Sequence, residues 1–239
     1  MNAETAFALA KFCGGGLRVK ELSGLEDLDE VSTLDLSGVM SLDARTAAAI
    51  AKFKGALYLD GIRRLDVQAG EALAACNGPL SLNGLSDLGP ELARVLACHN
   101  SWSGIGGLRL DGLGSLSHDS AEALSKCRCG LSLNGITRLD LEVAEMLVRD
   151  RQGPLFLHGL KALGPHLGEV LARYEGVLGL NGVTEIDLPT ARALARFEGR
   201  LLVLGGITHL SDECAAVIRD GRGRLWLPKG GTLSAVTNQ

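Results

Sequence analysis

Apolar residues recur along the chain in one phrase, L-x-L-x-G-[LIV]-x-x-[LI]. It runs through Leu34 to Leu42, Leu57 to Leu65, Leu80 to Leu88, Leu108 to Leu116, Leu131 to Leu139, Leu155 to Leu163, Leu178 to Ile186 and Leu202 to Leu210. A degenerate copy, Leu22-Ser23-Gly24-Leu25-Glu26-Asp27-Leu28, precedes these, and Leu225-Trp226-Leu227 opens an incomplete last one. The repeat period is about 23 residues, within the range of solenoid units. The L-x-L piece has period two, which predicts a short strand with its leucines inward and the intervening residues outward. The Gly suits a backbone corner, and the next two aliphatics, such as Ile62 and Leu65, return the chain to the core. Asp43, Asp66, Ser117, Asp140, Asp187 and Ser211 then stand where helix N-caps are needed, and Pro90 and Pro165 follow Gly89 and Gly164 near a first helical turn. Each predicted helix carries one large aliphatic column (Ile50, Leu73, Leu96, Leu124, Leu147, Leu171, Leu194, Ile218). Three residues earlier lies a small one (Ala47, Gly70, Ala93, Ala121, Ala144, Gly168, Ala191, Ala215) that lets the helix approach its neighbours. Gly55, Gly78, Gly153, Gly176 and Gly199 are expected to close the helices in the left-handed conformation.

A single unit cannot bury its apolar strand face, but stacked units share one, so the strands should align as a parallel sheet with helices on the opposite side and the sheet side concave. The phrase and its helix resemble bacterial leucine-rich-repeat-like proteins, particularly the planctomycete-type LxLxGLxxL repeats, over Leu22 to Leu227. The resemblance implies an α/β leucine-rich-repeat-type solenoid, with parallel strands on the concave side and short helices on the convex side. It also implies a ligand-binding or protein-interaction scaffold. Unlike the commonest consensus of such repeats, the Asn or Asp here sits directly before Gly, as in Asn83-Gly84, Asn134-Gly135 and Asn181-Gly182. That departure leaves open whether a buried asparagine ladder forms.

Nothing in the composition divides the chain, so residues 1–239 read as one solenoid. The expected parts are an amino-terminal partial repeat or cap over 1–28, regular repeats over 29–223 and a carboxyl-terminal partial repeat or cap over 224–239. Thr5 to Phe12 matches the mid-repeat segment Thr190 to Phe197, which marks the chain as a candidate fragment.

The chain is 46% hydrophobic and 22% charged, with 32 glycines and only 4% aromatic residues, which predicts a soluble, globular protein with an aliphatic core. A formal net charge of −4 argues against a nucleic-acid surface. The pattern offers no membrane span. Cys13, Cys76, Cys98, Cys127, Cys129 and Cys214 are scattered rather than set in a dense disulfide framework. Reduced thiols in a cytoplasm are therefore expected, unless an export signal lies outside this sequence.

The outward strand positions form the expected binding face, with Tyr58, Asp60, Arg109, Asp111, Phe156, His158 and Trp226 its anchors. The plainer reading gives the Asn and Asp residues to the tight Gly corner. Between Gly84 and Gly112 the repeat is longer by about five residues, an insertion that solenoids tolerate cheaply. It falls at residues 98–107 and carries Trp102, either an interface anchor or a side chain folded over the body. Arg192, Arg196, Arg200, Arg219, Arg222 and Arg224 are interleaved with Glu198, Asp212, Glu213 and Asp220, which favours a solvated surface over an acidic partner's site. Cys127-Arg128-Cys129 with His99 leaves a tetrahedral metal site incomplete. Cys76, His99 and Cys127 occupy the slot that elsewhere holds Phe53, Tyr174 and Phe197, so they read as packing residues, as does Cys214. No phosphate-binding, nucleophile-elbow, zinc-protease or dinucleotide motif is present, and the histidines fit no triad. The expectation is a non-catalytic scaffold with no metal or cofactor, a protein or peptide partner, and no nucleic-acid or membrane partner. The competing reading is a structural spacer that self-associates end to end or supports another domain of a longer chain.

Overall fold

The computed structural model describes residues 33–100, 107–221 and 225–226, the last pair as backbone only. The expected copy at Leu22 to Leu28, the cap at 1–28, the cap at 224–239 apart from the backbone of Leu225 and Trp226, and Trp102 lie outside the described residues. Strand and helix alternate through the described residues. The order is β1 (Thr33–Asp35), α1 (Ala44–Ile50), β2 (Ala56–Tyr58), α2 (Val67–Ala74), β3 (Leu80–Ser81), α3 (Pro90–Leu96), β4 (Leu108–Arg109), α4 (His118–Ser125) and β5 (Leu131–Ser132). It continues with α5 (Leu141–Arg149), β6 (Leu155–Phe156), α6 (Pro165–Ala172), β7 (Val177–Gly179), α7 (Leu188–Leu194), β8 (Leu201–Val203), α8 (Asp212–Arg219) and β9 (Leu225–Trp226).

The strands form one nine-stranded parallel sheet in chain order, β1 to β9. Consecutive helices pack on one another along it. This is an α/β repeat architecture of solenoid type, in which each unit is buried by its neighbours rather than by a closed shell. The register carries Leu34, Leu57, Leu80, Leu108, Leu131 and Leu155 onto one another. These leucines and the next inward set, Leu59, Leu82, Leu110 and Leu133, are buried, as are the large helix column and the β-turn aliphatics such as Ile62 and Ile136. Burial of these leucine and helix columns therefore follows the period-two and period-3.6 patterns.

The helix starts are as the residues predict. The side chains of Asp43, Asp66, Ser117, Asp187 and Ser211 accept the backbone N–H three residues on, while Gly89 and Gly164 cap α3 and α6 ahead of Pro90 and Pro165. Asp140 holds the cap position of α5 without a side-chain bond. The extra residues between Gly84 and Gly112 lie in the connection from α3 to β4, and β3 still pairs with β4 in register.

The glycines require a correction. The helices do not end on left-handed Gly; α1, α2, α6 and α7 end on Ala51, Ala75, Arg173 and Ala195 in the right-handed region. Gly78 and Gly153 come later, at strand entries, where any β-carbon would overlap the backbone of the preceding unit at Gly55 and at Cys129. The corner glycine works in the same way. Leu59 to Ile62 is a β-turn closed by Ile62 N–H on Leu59 O at 3.1 Å, and the equivalent turn of the next unit packs Gly84 against the Asp60 and Ile62 carbonyls. Close approach between units selects Gly here, not a positive φ.

Candidate functional site

Parallel register places Asp35, Tyr58, Ser81, Arg109, Ser132, Phe156, Gly179 and Val203 in one row across β1 to β8, and Trp226 continues it on β9, its side chain lying outside the described residues. Large and small side chains alternate along the middle of this row. A depression of about 340 Å³ opens there, lined by Tyr58, Ser81, Arg109, Ser132, Phe156 and His158 among others. Residues from five consecutive strands thus share one hollow on the strand face.

Ser81 and Ser132, expected to face outward into water, are in fact buried. Their short side chains sit between bulkier neighbours in the row, and each hydroxyl donates to a carboxylate, Asp60 and Asp111 respectively, at 2.6 Å. Gly179 is buried for a related reason: the Phe156 and His158 rings, with centroids 5.5 Å apart, occupy the space that a β-carbon at this position would need. Arg109 remains 41% exposed and pairs with Asp111 at 3.2 Å.

The position before each corner Gly has a different task. Asn83 N–H donates to Asp60 at 2.9 Å, Asp111 N–H to Asn83 at 2.9 Å, Asn134 N–H to Asp111 at 2.9 Å, and His158 N–H to Asn134 at 2.8 Å. Asn181 N–H donates to His158 Nδ1 at 3.1 Å and Gly205 N–H to Asn181 at 2.7 Å. Each side chain accepts the backbone N–H of its counterpart one unit later, so a polar ladder does run through the solenoid, in the slot beside Gly. The residues serve the junction between units rather than the corner of their own. Asp60, Asp111 and His158 therefore line the strand face while part of each is committed to the ladder. Nδ1 of His158 must be unprotonated to accept, and partial burial lowers its pKa against the opposing effect of Asp111.

A second polar feature lies where the helices exit. Phe53, Cys76, His99, Cys127, Tyr174 and Phe197 share one buried slot, each N–H bonding the carbonyl three residues back. Arg151 falls in the same column and is also buried. Sequence reasoning missed it, although the register pointed to it: one repeat after Cys127 and one before Tyr174, a charge stands where every other unit has an uncharged side chain. The Arg151 guanidinium donates to the carbonyls of Leu124 (3.3 Å), Cys127 (3.0 Å), Cys129 (2.5 Å) and Pro154 (3.0 Å), tying α4 and β5 to the unit of β6. Tyr174 OH donates to Gly153 O. Cys76 and His99 meet at 3.9 Å, and burial pushes the Cys76 thiol up to about 11 and lowers His99. Cys127 and Cys129 are in sulfur–sulfur contact at 2.9 Å. Cys214 is buried, as its column predicts. Among the described residues, no group of three or more His, Cys, Asp or Glu is placed to hold a metal ion.

Arg192, Arg196, Arg200 and Arg219 are exposed, as are the acids between them, while Arg222 and Arg224 lie outside the described residues. No helix among the described residues is long and apolar enough to cross a membrane.

No protein-family model matches the chain, and no curated protein matches it.

Proposed function

We propose that the chain is a leucine-rich-repeat-type scaffold, non-catalytic, that binds a protein or peptide across its strand face. One observation carries this reading: the register brings Tyr58, Arg109 and Phe156 from separate units into a single row around one depression. Tyr, Arg and aromatic side chains partly exposed beside a hollow are the types that supply most binding energy at protein interfaces. Their bases are fixed, because β2 to β6 are held by the sheet, the leucine interior and the ladder, so little ordering is required on binding. The polar groups of the ladder at the rim, Asp60, Asp111 and His158, suit hydrogen bonds to an extended chain laid across the strands. The sequence adds the 98–107 insertion with Trp102 to the proposal, and the register adds the Trp226 position on β9.

The test is direct. Tyr58→Ala, Arg109→Ala and Phe156→Ala are compared with the unaltered chain for affinity toward a partner recovered by pull-down. Each change is expected to weaken binding at least tenfold, while exposed helix-side changes such as Arg173→Ala leave it unaltered. Equal affinity in all three row variants would reject the strand face as the site.

A further inference from the structure

A guanidinium removed from water needs a compensating negative charge, because hydrogen bonds to neutral carbonyls replace only part of its hydration. Arg151 is 3% exposed, and among the described residues it is in no ion pair with Asp or Glu. Its terminal nitrogens spend themselves on four carbonyls, and its Nε is buried without a partner. The Cys127 and Cys129 thiols and the Tyr174 hydroxyl all feel the Arg151 charge, and Tyr174 is committed as a donor to the Gly153 carbonyl, which leaves the cysteine pair to carry a negative charge. The Cys127 sulfur lies 2.9 Å from that of Cys129, inside van der Waals contact, so the two sulfurs are already adjacent for S–S bond formation. The electrostatics run the same way. The bond from Cys129 is the main influence lowering Cys127, opposed by burial and aided by the Arg151 charge, while Cys129 is raised.

We infer that Cys127 and Cys129 form a redox modification site, in which Cys127 is the thiolate that balances Arg151, Cys129 is the resolving thiol, and a hydroperoxide is the oxidant that joins them. The steps balance. Cys127 sulfur attacks one peroxide oxygen, forming an S–O bond and breaking O–O, so that hydrogen peroxide yields a sulfenic acid and hydroxide. Cys129 sulfur then attacks the sulfenic sulfur; S–S forms, S–O breaks, and the Cys129 proton leaves with the departing oxygen as water. Two electrons pass from the sulfur pair to the peroxide. A cavity of about 550 Å³ is lined by Cys98, His99, Lys126 and Arg128, the last two flanking Cys127 in the chain, while Cys127 and Cys129 are themselves buried, so only a small, uncharged hydroperoxide suits the pair. Oxidation removes the anion beside Arg151, so the junction that Arg151 ties between β5 and β6 becomes the redox-sensitive one.

The chain itself permits a clean test, since trypsin cuts after Lys126 and after Arg128, between the two cysteines. The full, reduced chain is treated with equimolar hydrogen peroxide, its free thiols are blocked with N-ethylmaleimide under denaturing conditions, and it is digested. The expected product is the dipeptide Cys127-Arg128 disulfide-linked to the peptide Cys129 to Arg138, formed at least tenfold faster than any oxidation of exposed Cys98. Cys129→Ser should stop at a dimedone-reactive sulfenic acid on Cys127, and Cys127→Ser should leave Cys129 reduced. Oxidation of Cys98 first, with Cys127 and Cys129 both recovered as maleimide adducts, would overturn the proposal. The unaltered chain alone decides this, whether or not a variant folds.

Discussion

Removing the Asp111 carboxylate tests whether the ladder beside the corner glycines holds successive units together. Asp111 Oδ1 accepts from Ser132 Oγ at 2.6 Å and from Asn134 N–H at 2.9 Å, and Oδ2 meets Arg109 at 3.2 Å. Asp111→Ala strands a buried hydroxyl and a backbone donor. Hydrogen bonds to an ionised group contribute about 1.5–3 kcal/mol each, which sets a ceiling of about 6 kcal/mol for the two. The Asp111 side chain keeps 17% exposure, so water partly re-satisfies the donors and the expected loss is about 2–4 kcal/mol. The Arg109 contact, 41% exposed on the arginine side, adds at most about 1 kcal/mol. Asp111→Asn keeps an acceptor oxygen, as Asn83 and Asn134 do in their own units, and should cost only about 1 kcal/mol. Urea unfolding followed by circular dichroism measures both variants, and hydrogen exchange at the Asn134 amide reports the local bond in case unfolding spreads from one junction rather than all at once. If Asp111→Asn were as damaging as Asp111→Ala, or if Asp111→Ala cost less than about 1 kcal/mol, the ladder would not be a source of stability.

Three further outcomes follow from the same geometry. Leu110, fully buried, should lose about 2–5 kcal/mol on change to Ala, read as a lower urea midpoint. Gly84→Ala drives a methyl into the Asp60 and Ile62 carbonyls, backbone that cannot yield, and should cost about 2–3 kcal/mol, whereas Gly114→Ala enters open space and should change stability by less than about 0.5 kcal/mol. His158 has a folded pKa below its unfolded value near 6.5. The unfolded chain therefore takes up the proton first, and the stability His158 contributes is complete above that value and is lost as pH falls through the folded pKa. His158→Asn keeps the ladder acceptor without the titration, so its urea midpoint should fall less than the parent's between pH 7 and pH 5; an identical fall in both would remove His158 as the cause.

The interior was legible from the residues because burial in strands and helices follows fixed periods, so Leu59, Leu82 and the Ile50 and Leu73 column announce themselves. The caps were legible for a similar reason: Asp43 and Asp187 act on N–H groups three residues away, within the reach of local sequence. What stayed hidden depends on contacts between units. The partner of Asp60 is Asn83, a full repeat later, and nothing in the identity of an Asp-Gly pair says whether its carboxylate turns toward its own corner or toward the next unit. Ser81 and Ser132 read as exposed because strand alternation puts them outward; their burial comes from Tyr58, Arg109 and Phe156 beside them in the row, which only the register brings together. Glycine was misread at the helix ends, since a requirement for close approach and one for positive φ leave the same letter. Arg151 stood in a visible column, but a charge next to exposed Asp150 and Gln152 reads as surface until its carbonyl partners are known.

The claim on which the binding face depends is that consecutive units stack in register, so that Tyr58 and Phe156 lie in one row four strands apart. With strands spaced about 4.8 Å, their backbones should be separated by roughly 19 Å. Spin labels placed by Tyr58→Cys and Phe156→Cys in a background with Cys13, Cys98, Cys127 and Cys129 replaced by Ser measure this by double electron–electron resonance. A single narrow distribution between about 15 and 30 Å, allowing for the reach of the labels, is the predicted result. A broad distribution, or one centred beyond about 40 Å, would mean that the row does not exist.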